Sequence, residues 1–498
     1  MTAIVRSTPR STPALNVPGP RPLPLIGATG NATLLVSDSI GRARKLFEAY
    51  GPIVAVTQGG GTRIYSSLPS CPGTVLVYGP ELVREATTQH NVYHKQPLSG
   101  ELYPTRAISP RTAPLQHFLT GLFGVNGDEH RQHRRLLMPA FHRQRISTYR
   151  DDMVAITQSS IANWQPGERR DMAEEMMLLT MRIATKTLFG EDVGERGRTV
   201  CHMLRESLRL LASPMTHLLP RDKPGLPYRR LLDLAAHYEM AMREIIRQKR
   251  ADGGTGNDML SLLLEARDET SGEALTEDEL LGHVGVIFAA GHETSANALT
   301  WTLFLLAQHP QIASDLLDEL DGVLHGDAPS LEQLARLPLL DYVIKESMRV
   351  LPPVPWNGRV TSQATELGGY MLPAGTEVLA SIYQTHQMPE IYPEPRRFDP
   401  RRWERIDPTI FEYNPFSAGP RMCIGATFAM IEIKIVLAML LQRYRLQCLP
   451  RLVVDRAGVI VLSPKRGMPM TINRQDRNFA AGASDVRGNV REMVELNN

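Results

Sequence analysis

Hydrophobic positions along this chain fall mostly at helical spacing, with short alternating runs in a few places. Between Ala32 and Ser66 helical and strand-like patterns alternate. Thr74 to Tyr78 is a short β-rich run, and Pro80 opens a helix, where a missing N–H costs nothing. From Tyr93 to Asn126 the chain is rich in Pro, Gly and Ser with scattered Phe, Leu and Tyr, which predicts a long irregular segment. Helices dominate after Arg131, broken at Pro220 to Pro227 and by a glycine-rich turn from Ala251 to Asn257. From Leu280 to Ala307 the only formally charged residue is Glu293. An apolar helix of that length is either buried or membrane-spanning. Its acidic start (Glu277, Asp278, Glu279) and the mid-helix His292-Glu293 predict the central helix of a large core. Pro310 opens another helix, and Ser330-Leu331-Glu332-Gln333 has capping-box spacing. A helix from Leu339 must stop at Pro352-Pro353. Leu367 to Leu379 alternates around Pro373-Ala374-Gly375, a hairpin signal. The predicted fold class is mainly α with a small β portion.

Composition adds mostly exclusions. With 498 residues, 42% hydrophobic and 22% charged, the chain reads as an ordinary globular protein. A net charge of +2 gives no reason to expect nucleic acid. Four irregularly spaced cysteines (Cys71, Cys201, Cys423, Cys448) form no disulfide framework and fit a reducing cytoplasm. Residues 1 to 24 carry six prolines, three arginines and no long apolar run, so neither a signal peptide nor a membrane anchor is expected there. Val17 to Gly27 reads as a stiff extended connector. The tail from about Arg474 is polar and is expected to be loosely ordered.

Candidate chemistry sits in two places. Phe416-Ser417-Ala418-Gly419-Pro420-Arg421-Met422-Cys423-Ile424-Gly425 puts a lone cysteine behind a glycine-containing turn, just before an apolar helix. A thiolate there can receive backbone N–H groups at the positive end of a helix dipole, which suits a cysteine that stays ionised and binds an iron. Ala290-Gly291-His292-Glu293-Thr294 sets a carboxylate and a hydroxyl side by side at the midpoint of the apolar helix. A buried carboxylate costs on the order of several kcal/mol unless paired or hydrated, which points to function. The structural alternative is a threonine bonding back into its own helix beside an ion-paired glutamate.

The first segment resembles the haem-ligand loop of cytochrome P450 enzymes, F-x-x-G-x-R-x-C-x-G, and the second their oxygen-activation motif, A/G-G-x-D/E-T. Glu346-Ser347-Met348-Arg349 resembles the family's E-x-x-R, because Pro395-Arg396-Arg397-Phe398 follows with Arg396 in place of the usual glutamate. In Gly127 to Arg135, His130 and Arg134 match a pair that contacts a haem propionate, and Arg359 matches another propionate arginine. The motifs stand in the family's order, and the resemblance covers roughly residues 18 to 472.

The resemblance implies a proline-rich lead-in over 1–30, one large helical prism enclosing haem b over 31–472, and a polar, flexible tail over 473–498. Cys423 is then the axial ligand and Phe416 shields its sulfur. Gly419 and Gly425 keep the loop close to the ring, and Ala290 and Gly291 lie against it. His130, Arg134, Arg359 and Arg421 bind propionates. Thr294 hydrogen-bonds to oxygen and Glu293 feeds protons through water, while Glu346, Arg349 and Arg397 lock the scaffold. The implied reaction is monooxygenation with O2 as co-substrate, in an enzyme expected to be cytoplasmic and monomeric. Electrons are expected from NAD(P)H through an external reductase system. An acidic ferredoxin or flavodoxin-type donor is expected to dock at Arg131, Arg134, Arg135, Arg143 and Lys434. A peroxide-driven hydroxylase and a non-catalytic haem-binding or sensor protein are the alternatives. The expected pocket draws on Leu98 to Val125, Leu204 to Leu226, the central helix and Val354 to Asn357, with Phe118, Phe123, Phe288 and Trp356 as aromatic lining. That suits a small hydrophobic substrate: a fatty acid, a terpenoid or a polyketide-type compound. Arg106 and Arg111 read either as carboxylate anchors or, preferably, as solvated loop charges.

Overall fold

Helices make the bulk of the molecule and run, in chain order, α1 Gly27–Ser37, α2 Ser39–Tyr50, α3 Pro80–Thr88, α4 Ala113–Gly124, α5 Gly127–Leu137, α6 Arg143–Ile161, α7 Met172–Phe189, α8 Gly194–Leu211, α9 Pro227–Ala251, α10 Met259–Glu265, α11 Glu277–Gln308, α12 Pro310–Leu324, α13 Pro338–Val350 and α14 Ala426–Arg443. The computed structural model describes residues 14–496 except 67, 69, 96–108, 191–193, 212, 214, 217–218, 254–255, 269–270, 459 and 483–484, and omits side chains at 118–120, 143, 194–198, 201, 205, 208 and 481–482.

The apolar stretch is α11, the longest helix described, at 32 residues. Thr276 starts it with a capping box: its hydroxyl accepts from Glu279 N, and the Glu279 carboxylate accepts from Thr276 N. Its C-terminal half, from Ser295 to Gln308, is buried all round, and Trp301 donates to Leu462 O at 2.9 Å. The helix packs along α7 and α4 and touches α13 and α14. No described helix is long and apolar enough to cross a membrane. The α4 crossing is tight because Gly121 meets Gly282: a Cβ on Gly121 would lie 2.3 Å from Gly282 O.

A mixed sheet flanks the helices in the order β1-β2-β8-β5-β3, with β1 Ile53–Ala55, β2 Thr74–Val77, β3 Tyr93–His94, β5 Trp356–Thr361 and β8 Glu377–Ser381. Only the β2–β8 pair is parallel. A second sheet joins β4 Arg169–Asp171 to β12 Pro469–Arg474 and β9 Tyr444–Cys448.

Three expectations change. The hairpin turns at Gly368-Gly369, both at positive φ, and pairs β6 Thr365–Leu367 with β7 Tyr370–Leu372. Beyond Pro373-Ala374-Gly375 the chain leaves to join the larger sheet as β8. The expected irregular segment contains α4, while 96–108 lie outside the described residues. The tail expected to be loose is packed: Val486, Val490, Met493 and Val494 are fully buried against the main core. Arg456 binds the tail from beneath, donating to Asn489 O and Glu492.

Candidate functional site

Cys423 lies in the loop ahead of α14, and its N–H donates to Phe416 O at 2.8 Å, closing the turn. Gly419 is required there twice over: its φ is +70°, and an added Cβ would lie 2.5 Å from Thr87 O at the end of α3. Phe416 is half-buried on the core and Gly425 lies within contact of the sulfur. Burial pushes the Cys423 thiol up from its ordinary value, opposed by the Gly425 backbone and the charges of Arg134 and Lys95. Solvent nevertheless reaches the residue, so it is enclosed by protein yet faces open space.

α11 has open positions of its own. Within an otherwise buried helix, Val286, Ile287, Ala289, Ala290, Gly291, Glu293 and Thr294 are only half-buried. A Cβ on Gly291 would meet nothing within 4 Å, leaving room for a flat ligand against the backbone. Thr294 Oγ1 donates to Ala290 O at 2.8 Å. The back-bonding arrangement is therefore present, and it commits the hydroxyl proton to the helix while leaving the oxygen lone pairs able to accept. Glu293 stands beside it, and its carbonyl accepts from Asn297 Nδ2. Sequence reasoning missed Glu432 on α14, wholly buried, its carboxyl pushed up to about 8 by burial next to Ser295. A glutamate in an apolar helix offered no motif.

Cations converge on the same region. Arg359 on β5 is 2% exposed; its Nη1 donates to Gly358 O, and its Nη2 has no partner among the described residues. Arg421 donates to Leu122 O, Val125 O and Asn126 Oδ1, tying the cysteine loop to the end of α4. Burial, then the charges of Arg359 and Arg134, push it down to about 10. His130 is buried, and desolvation followed by Arg421 and Arg134 pushes it down to about 3, so it is neutral at pH 7. Arg134 is half-buried and lowered by burial, with Cys423 opposing. Lys95, absent from the sequence-based set, joins them. Its backbone is clamped by Asn126 in both directions, and its ammonium sits 4.2 Å from the Phe123 ring centroid. Burial, then Arg359 and Arg421, push it down to about 7. Among the described residues no carboxylate pairs with Lys95, Arg134, Arg359 or Arg421. A lone lysine before a loop carries no pattern to find.

These residues fit the expected haem. A dianionic ligand supplies the missing counter-charge, Arg359 Nη2 offers a free donor, Gly291 offers the cradle, and Cys423 offers a sulfur facing the space between.

The scaffold lock is built differently from expectation. Glu346 and Arg349 are both 0% exposed and joined by two hydrogen bonds of 2.9 and 2.8 Å. The second arginine is Arg402, whose Nε donates to Glu346 Oε1 at 2.9 Å. Arg397 contributes only its carbonyl, which accepts from Arg349 and Arg402, while its exposed side chain pairs with Glu394. The sequence offers P-x-R-aromatic twice, Pro395 to Phe398 and Pro400 to Trp403, and the second is the one that buries its arginine and lets Trp403 donate to Glu346.

The expected basic docking face is largely neutralised: Arg131 pairs with Asp128, Arg135 with Asp268, and Lys434 with Asp341, while the Arg143 side chain lies outside the described residues. Arg111 is a partly solvated charge that forks between Asp222 and Asp233, so its guanidinium is not left free as a substrate anchor. Arg106 and the Phe118 side chain lie outside the described residues. Phe288 packs into the core between Phe189 and His292, and Trp356 into a separate apolar cluster beneath the large sheet, so neither lines the open space.

Comparison with known proteins agrees with this geometry. The family model for cytochrome P450 matches residues 17–468. The chain is 33% identical to cyclooctat-9-en-7-ol 5-monooxygenase of Streptomyces melanosporofaciens, over 74% of this chain and 80% of that one. It is 32% identical to pentalenene oxygenase of Streptomyces avermitilis, over 74% and 81%. Its fold superposes on the crystal structure of the cytochrome P450DA heme domain with a TM-score of 0.79 at 23% identity, covering 93% of this chain and 98% of that one. The chain belongs to the cytochrome P450 family and is a haem-thiolate monooxygenase.

Proposed function

We propose that this monooxygenase inserts one oxygen atom of O2 into a terpenoid-type hydrocarbon or alcohol. The observation that carries the reading is the run of partly exposed apolar positions on α11, Val286, Ile287, Ala289 and Ala290, just ahead of Gly291 and Thr294. A surface of that kind recognises shape and apolar area rather than charge. The names of the two relatives, one for cyclooctat-9-en-7-ol and one for pentalenene, support cyclic terpenoids over fatty acids. Arg111, one of the two arginines considered as a carboxylate anchor, is committed to two aspartates.

Cys423 would hold the iron, and Arg359, Arg421, Arg134 and Lys95 the two haem carboxylates. The bound haem supplies the binding and reductive activation of O2. Thr294 accepts a hydrogen bond from a water in the cavity, its own proton being held by Ala290 O. Glu293 serves as the proton source beside it. A peroxide-driven mechanism needs no such acid–alcohol pair, and its presence favours O2. Electrons come from NAD(P)H through a ferredoxin or flavodoxin-type protein.

The test is a titration of the ferric haem protein with cyclic terpenes, fatty acids and macrolide-like ligands. A low-to-high-spin shift with terpenes alone is expected. A shift with fatty acids and none with terpenes would overturn the substrate class. Thr294→Ala is expected to keep its haem but yield less product and more peroxide per electron pair; unchanged coupling would remove Thr294 from the proton path.

A further inference from the structure

Two helices present the same pair of side chains to each other. On α5, Glu129 and His133 are four residues apart; on α11, so are Glu279 and His283. That spacing places each pair on one face of its helix. The faces meet. His133 Nε2 lies 3.4 Å from Glu279 Oε1, and His133 Nδ1 lies 3.1 Å from His283 Nε2. Both imidazoles are buried, 4% and 1% exposed, with ring centroids 4.9 Å apart at 82°. Ligand atoms of Glu129, His133 and Glu279 all lie within 4.8 Å of one another. Glu279 is held in place, because its other oxygen accepts from Thr276 N at 2.8 Å.

We propose that Glu129, His133 and Glu279 bind one divalent first-row transition cation, of which Zn2+ is the natural probe, with His283 orienting His133 from behind. One imidazole nitrogen and two carboxylate oxygens suit zinc better than calcium or magnesium, which favour all-oxygen shells. Exposed Glu129 leaves the fourth position open to water. Coordination through Nε2 requires the His133 proton on Nδ1, and His283 Nε2 is placed to accept it, as outer partners of ligating histidines usually do. In that tautomer His283 carries its own proton on Nδ1, which is buried with no partner among the described residues. The cation ties the start of α11 to α5, the helix that carries His130 and Arg134.

The test uses the haem-loaded enzyme, dialysed against chelator and then titrated with zinc chloride alone, with bound zinc counted after gel filtration. One zinc per chain is expected, with X-ray absorption showing one nitrogen and the rest oxygen at about 2.0–2.2 Å. Zinc should also raise the melting temperature. Glu129→Gln should fold, keep its haem spectrum and weaken zinc binding by about tenfold or more, at least the effect of losing an outer partner. Glu279→Gln should do the same, because glutamine preserves the capping box. Zinc affinity unchanged in both variants would overturn the proposal and assign uptake to other histidines; so would a wild type that takes up no zinc. His133→Gln should abolish binding, and the two carboxylate variants decide the matter if it fails to fold.

Discussion

Two regions of this molecule bury several charges each, and they are built on opposite terms. Around Glu346 the protein is complete: the carboxylate accepts from Arg349, Arg402, Trp403 and the Asp399 N–H. The two arginines spend their remaining donors on the carbonyls of His386, Pro393, Glu394, Pro395 and Arg397. Around Cys423 the protein is incomplete: among the described residues Lys95, Arg134, Arg359 and Arg421 crowd together with no acid, and Arg359 Nη2 has no partner. Burying a cation without a counter-charge is costly, and such an arrangement persists where a ligand brings the charge. The first region is a lock and the second is a cradle. The distinction rests on which donors are satisfied, not on how many charges are buried.

The largest expected effect breaks the lock. Glu346→Ala strands two buried guanidinium groups and should cost about 3–5 kcal/mol. Arg402→Ala should approach the same loss, whereas Arg397→Ala, which removes an exposed side chain, should stay within about 0.5 kcal/mol. Urea unfolding of the three variants checks this. Equal damage from Arg397→Ala and Arg402→Ala would return Arg397 to the lock.

The cradle should respond in the opposite sense. Arg359→Ala removes an uncompensated buried charge, so the haem-free protein should lose little stability or gain some. Haem affinity should fall about 10- to 100-fold, the worth of one hydrogen bond to a charged group, about 1.5–3 kcal/mol. Haem transfer to an acceptor protein measures the affinity, and thermal unfolding of the haem-free form measures the stability. A variant that is less stable without haem yet holds haem normally would make Arg359 part of a lock instead.

This contrast also explains what could be read from the sequence. Cys423 and the Ala290–Thr294 segment were legible because their chemistry is local: a turn, a helix start, a charge in an apolar run. Arg402 was not, because P-x-R-aromatic occurs twice within nine residues and only tertiary burial separates the copies. Lys95 and Asn126 act through contacts across 31 positions of chain, which no local pattern reports. The hairpin was misplaced because a proline-glycine turn outweighed the Gly368-Gly369 pair that actually closes it. The packed tail was hidden by average polarity, although Val486, Val490, Met493 and Val494 do share helical spacing.

The smallest expected effect tests the cradle through pH. In the haem-free protein, burial and the neighbouring arginines push the Lys95 ammonium down to about 7, against about 10.4 for an unfolded lysine. Below about pH 7 both states carry the proton, and the full cost of a buried charge is present. Between about pH 7 and 10 the unfolded chain binds more protons than the folded one, so stability should rise with pH. Lys95 is only half-buried, so water screens part of the cost and the slope should be shallow. Lys95→Met should remove that slope from the haem-free protein. The same substitution should leave the slope of the haem-loaded protein almost unchanged, because a carboxylate beside the ammonium restores its ordinary pKa. Urea midpoints at several pH values, with and without haem, measure both. A Lys95 slope that survives haem loading would mean that no carboxylate reaches it, and would take Lys95 out of the cradle.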